Sequence, residues 1–311
     1  MSSTSAALPS AGLLGPVGRI GRTVLASLAY VGGVTLLTFA AAGSLLRTSG
    51  GAADPPIGFG RTMIRQLSWM LALGLPLVGL VHIAMGSFLA LQAYYGSTFI
   101  DGTGAVVGVG LLRNLGGMMT GLTLSGILAA RMIPELRRWV RDIPDGEHRR
   151  PAVHGWTAVA GRLAAPRIAA AALACLLLSQ WGVAVGTVVG WQASISMMGL
   201  PTETFFVMMV RMVWFRDVVG LVVKGMWFGM LPAAICCYEG LRDAVREEER
   251  APPRGSADPI RADAGVPLAV PVFRATCLGI VAILIVNLSW FMLVYHAVPF
   301  YGPTLLKPPS P

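Results

Sequence analysis

Three residues that ionise or hold protons stand inside apolar stretches where a charge is costly: His82, Arg113 and Lys224. Arg113 lies in Gly110-Leu-Leu-Arg-Asn-Leu-Gly116, with no acidic residue within ten positions. An arginine at mid-membrane costs at least ~2.5 kcal/mol, so its guanidinium must face a cavity, a partner or the interface. A phosphate or other anionic head group suits the planar fork. Snorkelling, or bonding to helix carbonyls at a dimer seam, answers the same need. Lys224 follows Asp217 by two helical turns on one face, so a direct pair between them needs a bend. A lysine near the outer end of a span can instead snorkel to the interface in a structural role.

Catalysis finds little to work with. The histidines are dispersed: His82 in an apolar run as a packed or cavity-facing residue, His148 and His154 between runs, and His296 late in the chain. Neither HExxH nor GxSxG accompanies them. Cys175, Cys236, Cys237 and Cys277 lack metal-ligand spacing and read as small buried hydrophobes. No GxxxxGK[ST] occurs, so the chain is not expected to bind ATP through a P-loop. Glu247-Glu248-Glu249, between Arg246 and Arg250, reads as a solvated helix extension. No enzyme activity, metal or other cofactor is expected.

The elements that must position Arg113 and Lys224 follow from composition. With 55% hydrophobic and 13% charged residues, the chain is far more apolar than an ordinary soluble domain, which predicts an all-α polytopic membrane protein. The charge-free intervals 23–46, 66–100 and 168–202 are each long enough for a span, and 114–130 and 225–238 become so when extended backward; 275–306 supplies the last. In the first interval Val17, Ile20, Val24, Leu28, Val31 and Thr35 share one helical stripe with Arg19 and Arg22 off it, which favours an interfacial helix; a sixth full span competes. Small residues recur every four positions at Gly117, Gly121, Ser125 and Ala129, and at Gly182, Gly186 and Gly190, for packing within one subunit or for dimerisation.

Arginine placement sets the orientation. Arg131, Arg137, Arg138, Arg141, Arg149, Arg150, Arg162 and Arg167 crowd one connection, and Arg242, Arg246, Arg250, Arg254, Arg261 and Arg274 another, while the opposite connections carry none near 93–103 and Arg211 and Arg216 near 193–217. The arginine-rich side is expected to be cytoplasmic, with the N-terminus on that side. The net charge of +9 is thereby explained as membrane anchoring, and no nucleic-acid partner is expected. The first fifteen residues lack a charged n-region, so no cleaved signal peptide is expected.

Several short motifs occur in order along roughly residues 13–296. Leu75-Pro-Leu-Val78 leads to Ala90-Leu-Gln-Ala-Tyr94, then Leu112-Arg-Asn-Leu-Gly116, Ala165-Pro-Arg167, Val223-Lys-Gly225 with Phe228-Gly229, Cys237-Tyr-Glu-Gly240 and Phe273-Arg-Ala-Thr276. Together they resemble the permease subunit of Mla/Mce-type ABC lipid transporters, the MlaE/YrbE permease family. That resemblance implies one domain over 1–311, with an N-terminal interfacial helix at 13–47 and about five spans at 66–92, 104–130, 166–192, 218–238 and 274–296. Cytoplasmic loops would lie at 131–165 and 239–270. It further implies a multi-pass inner-membrane permease working with a separate ABC ATPase and an MCE-domain carrier, as a homodimer or a heterodimer with a paralogue. A phospholipid or sterol-like amphiphile would be its substrate.

By the same resemblance Gln92 and Tyr94 border the substrate cavity with Arg113 and Asn114; an interfacial polar girdle is the other reading of Gln92 and Tyr94. The family has Arg-Glu where this chain has Arg113-Asn114, so an ion pair through that glutamate is lost. ATPase docking falls to Glu135, Arg137, Arg138 and Trp139. The docking segment departs from the family: Ser125-Gly126-Ile127 replaces Ala-Gly-Arg, and the acids of EQIDAL give way to Ile143-Pro-Asp-Gly-Glu-His-Arg-Arg150. A non-transporting scaffold or regulatory paralogue that no longer couples to ATP is therefore the alternative.

Overall fold

The computed structural model of the chain describes residues 14–46, 58–96, 102–141, 155–250 and 268–297. Among them no strand forms, and the protein is an all-α polytopic membrane protein. The helices are α1 (Leu14–Leu46), α2 (Phe59–Gly96), α3 (Thr103–Val109), α4 (Gly116–Arg141), α5 (Gly155–Met198), α6 (Thr202–Met212), α7 (Phe215–Arg250) and α8 (Ala269–Phe291). A π-helical segment, Gly110–Leu115, joins α3 to α4, and a second, Met292–Ala297, extends α8.

Six helical stretches are long and apolar enough to cross a membrane by length and composition: Gly18–Ser44, Phe59–Gly96, Thr103–Trp139, Gly161–Met198, Phe215–Arg242 and Ala269–Val294. The stretches 66–92, 166–192 and 218–238 fall within the longer helices α2, α5 and α7, whereas 104–130 runs over α3, the π-segment and α4, and 274–296 over α8 and its π-helical extension. Helix α4 runs on to Arg141, α5 begins at Gly155 and α7 reaches Arg250, so much of 131–165 and part of 239–270 is helix rather than loop. Glu247, Glu248 and Glu249 fall in that extension of α7.

Close helix approach comes from small residues. Gly86 of α2 lies on the backbone of Gly186 in α5, where any Cβ would collide with a carbonyl. The two small-residue stripes are used inside the chain: Gly117 and Gly121 face Phe228, Ser125 Oγ donates to the Thr276 carbonyl, Gly182 lies against the His82 ring, and Gly190 lies against Val107. A Schellman turn ends α5. Gly199, at φ 64°, lets its own N–H reach the Ile195 carbonyl and that of Leu200 reach the Ser194 carbonyl.

Four long helices each carry one proline in their interior, Pro76, Pro134, Pro166 and Pro232. Each removes one backbone bond, which a packed membrane bundle tolerates where neighbouring groups take up the freed carbonyl. Two buried apolar clusters fill the interior. The larger joins α2, α4, α5, α7 and α8 around Met70, Leu128, Leu178 and Phe228; the smaller joins the far ends of α2 and α5 to α3, α6 and the π-segment around Leu111 and Phe205.

Outside this interior the surface is apolar. Leu73, Leu80 and Phe88 of α2 and Ile285, Leu288 and Leu293 of α8 and its extension are exposed, a coat suited to lipid. Helix α1 is exposed from Gly18 to Ala29, and Ile20, Val24, Leu28 and Val31 of its expected stripe face outward. Its second half packs on the bundle, with Tyr30 edge-on against Tyr238 and Ser44 Oγ donating to the Gly161 carbonyl.

The bundle's sidedness is open to direct measurement. Arg162 and Glu203 are exposed at opposite ends of α5 and α6. With the four native cysteines replaced by alanine, Arg162→Cys should react with an impermeant maleimide only from the cytoplasmic side and Glu203→Cys only from the other. Labelling of both from one side contradicts the arrangement.

Candidate functional site

In the apolar bundle, charge gathers at two levels. At the level of the π-segment, an extra residue in the turn shifts the register of the side chains around it, and such segments recur at functional sites. Here the shifted turn presents Arg113 to α7. Arg113 Nε donates to Asp217 Oδ1 at 3.1 Å and Nη2 to Oδ2 at 2.9 Å, a bidentate pair whose carboxylate is fully buried. The guanidinium that has no acid nearby in sequence thus meets one 104 positions away. Asp217 also accepts the Trp214 N–H at 3.0 Å, reaching back across the first turn of α7 as in half of a capping box.

Lys224, buried on α7, donates its ammonium to the Arg113 carbonyl. That contact holds the π-segment from the other side. Next to it Asn287 of α8 donates to Asn114 Oδ1 at 2.8 Å, a neutral pair beside the charged one. Below, His82 Nδ1 faces the Val78 carbonyl at 2.8 Å and Nε2 faces the Gly116 carbonyl at 3.3 Å, joining α2 to α4. Gln92 and Tyr94 lie on the exposed end of α2, where Tyr94 packs edge-on against Tyr95 with centroids 4.9 Å apart.

The second level lies at the arginine-rich end. Glu135 of α4 accepts from Arg65 Nη2 at 3.1 Å, from Gln66 Nε2 at 2.8 and 2.9 Å, and from Arg167 Nη2 at 2.8 Å. Arg167, itself buried, also donates to the Leu163 carbonyl at 2.7 Å. Gln66 accepts from Trp69, over whose ring Arg131 lies at 4.7 Å. One carboxylate thereby ties α2, α4 and α5. At the same end Arg274 of α8 pairs with the buried Glu239 of α7.

These contacts divide the residues of the expected docking group by exposure. Glu135 is engaged inside the bundle and Arg137 is buried, whereas Arg138 is exposed and Trp139 half-buried. A helix continuing through Arg141 sets Glu135 on one face with Arg138 and Trp139, three and four positions on, and turns Arg137 to another; what draws Glu135 inward is its set of polar partners on α2 and α5. Sequence reasoning missed Asp217 as the partner of Arg113, and Gln66 and Asn287 altogether. The available signal was a polar or acidic residue inside or at the edge of an apolar run, which needs a partner wherever it occurs. Among the described residues no group of three or more His, Cys, Asp or Glu is placed to hold a metal ion.

Residues 63–257 match the family model described as Permease MlaE, which spans α2 to α7 and both polar levels up to Glu239. A Rickettsia felis protein named "Probable ABC transporter permease protein" is 26% identical over 232 residues, covering 73% of this chain and 85% of its own length. A Rickettsia bellii protein of the same name is 25% identical over 232 residues with the same shares.

Removing either partner of a buried ion pair typically costs ~3–5 kcal/mol by leaving the other charge unpaired. Arg113→Ala and Asp217→Ala should each destabilise the detergent-solubilised protein on that scale, and the double variant should cost less than the two singles summed. Additive losses in a denaturant-unfolding cycle contradict the coupling.

Proposed function

The chain belongs to the MlaE permease family, and on that premise we propose that it is the membrane-spanning subunit of an ABC-type transporter for a lipid, a phospholipid or a sterol-like amphiphile. ATP hydrolysis belongs to a separate ATPase, and an MCE-type carrier exchanges lipid with the permease on the side away from it. The permease works in the inner membrane with its N-terminus in the cytoplasm, as a homodimer or with a paralogue. Helix α1 lies at the interface, its outward apolar stripe in the acyl chains.

The observation that carries this reading is the continuous path from one polar level to the other. Arg113 and Asn114 open into α4, which carries Glu135 and Arg138 about 33 Å further along at the helical rise. A movement imposed at Arg138 and Trp139 reaches the π-segment along α4, across the interruption at Pro134. Arg113, held by Asp217, and Asn114 face the lipid's path with Gln92 and Tyr94 at its mouth. The arginine keeps a quarter of its side chain exposed, so a head group can approach the outer face of the ion pair.

One observation favours the second reading, a scaffold that no longer couples to ATP. Glu135 is engaged by Arg65, Gln66 and Arg167 and Arg137 is buried, which leaves Arg138 and Trp139 as the docking contacts on this helix.

Copurification decides between them. Tagged chain drawn from its native membrane should bring an ABC ATPase. Arg138→Glu with Trp139→Ala should lower that recovery about tenfold, the loss of one interface hot spot, while the helical content stays unchanged. Recovery of the chain without any ATPase supports the scaffold; undiminished recovery with the double variant moves docking to another surface.

A further inference from the structure

The inward stripe of α8 runs Pro271, Ala275, Gly279, Ile283 and Asn287, all buried. Four apolar or small residues end in an amide, and Trp290 continues the same face one turn on. Asn287 is 8% exposed. Its Nδ2 is used on Asn114 and on the Met118 sulfur, but its Oδ1 is shut from solvent and meets no donor among the described residues. Trp290 Nε1 is likewise enclosed without an acceptor, above Gly220 of α7, where a Cβ would come 3.6 Å from it. An acceptor and a donor, three residues apart on one helical face, are neighbours. Leaving both without partners in an apolar seam is costly, and native interiors rarely do so.

From this pair we infer that α8, the π-segment and α7 form a notch for the alcohol of an amphiphile. A hydroxyl is the smallest lipid group that both donates and accepts: its O–H would donate to Asn287 Oδ1 while its oxygen accepts from Trp290 Nε1. An ester carbonyl cannot donate to the amide, and a quaternary ammonium can do neither. The apolar remainder of the molecule lies along the exposed outer end of α8, past Leu288, Phe291 and Met292. The neutral Asn114–Asn287 pair keeps the notch uncharged beside the Arg113–Asp217 pair, so the alcohol is recognised by hydrogen bonding. Gly220 matters because a side chain there would press on the indole edge that carries the N–H. This inference rests on the transport reading for its role but not for its binding.

The source of the alcohol, a sterol or a glycerolipid, is decided by paired probes. The purified full chain, without any ATPase, is equilibrated with dioleoylglycerol or its deoxy analogue, and with cholesterol or its deoxy analogue, and bound probe is measured by native mass spectrometry. At least one alcohol should bind about tenfold tighter than its deoxy partner, the scale expected for satisfying two buried groups. Preference in the glycerol pair alone identifies a glycerolipid, and preference in the sterol pair alone a sterol. Trp290→Phe, which keeps an aromatic ring and removes the N–H, should cut the preference to about threefold or less; Asn287→Leu should do the same. No preference in either pair, or a preference untouched by Trp290→Phe in a protein of wild-type helicity, overturns the notch. Because the assay needs no ATP, failure of coupling leaves its result standing, and loss of the alcohol preference leaves the transport reading standing.

Discussion

The bidentate pair between Arg113 and Asp217 is the interaction on which the half of the molecule away from the arginine-rich end depends. A charge inside an apolar bundle must be matched within the bundle, since no water is at hand to solvate it. The match here is made between elements far apart in the chain, so it fixes their relative position. Asp217 orients the start of α7 by accepting the Trp214 N–H while it holds the arginine on the π-segment. Lys224, two turns along α7, grips the carbonyl of the same arginine. The π-turn is thus clamped to one helix at its side chain and at its backbone, and α8 reaches it through Asn287. Glu135 plays the corresponding part at the arginine-rich end for α2, α4 and α5. Between the two polar levels the helices meet through glycine and alanine, which supply close contact but little that would fix register.

The all-α polytopic class was legible from hydropathy because long apolar runs follow from the bilayer as solvent. The chemistry at Arg113 was legible only halfway. An arginine in an apolar run announces a partner, but a search along the neighbouring sequence cannot find Asp217, which the fold alone brings beside it. The π-segment was hidden too, since one extra residue in a turn leaves no mark in the apolar pattern. At the other end, Glu135 and Arg137 share a segment with Arg138 and Trp139, and a reading of that segment as loop gave all of them the same exposure. As helix, the segment separates them: Arg137 is buried and Arg138 stays outside, while Glu135 is half-buried and tied to Gln66 and Arg167. The small-residue stripes were ambiguous for a related reason, because periodicity shows that a helix approaches something closely but does not identify it. Gly186 against Gly86 and Gly121 against Phe228 place those contacts within one chain.

Asn114 helps set what the level of the π-segment can recognise. A carboxylate there would add a charge to the set formed by Arg113, Asp217 and Lys224. The amide instead pairs with another amide, leaving the ionic contacts to α7 and the neutral ones to α8. The two kinds of polar group are thereby divided between two faces of the same turn. Such a division suits an amphiphile whose head group meets charge on one side and hydrogen-bonding groups on the other.

The central claim is that α4 joins ATP-driven movement at the arginine-rich end to lipid passage beside Arg113. The most direct test reconstitutes the assembly that the tagged chain draws from its native membrane into vesicles holding isotope-labelled lipid. The rate at which lipid leaves the vesicles for an acceptor carrier is then followed with ATP and with a non-hydrolysable analogue. ATP should accelerate the movement, and Arg113→Lys, which keeps the charge but not the fork, should slow it while ATPase recovery and hydrolysis persist. Movement at the same rate with ATP and with the analogue would contradict the account.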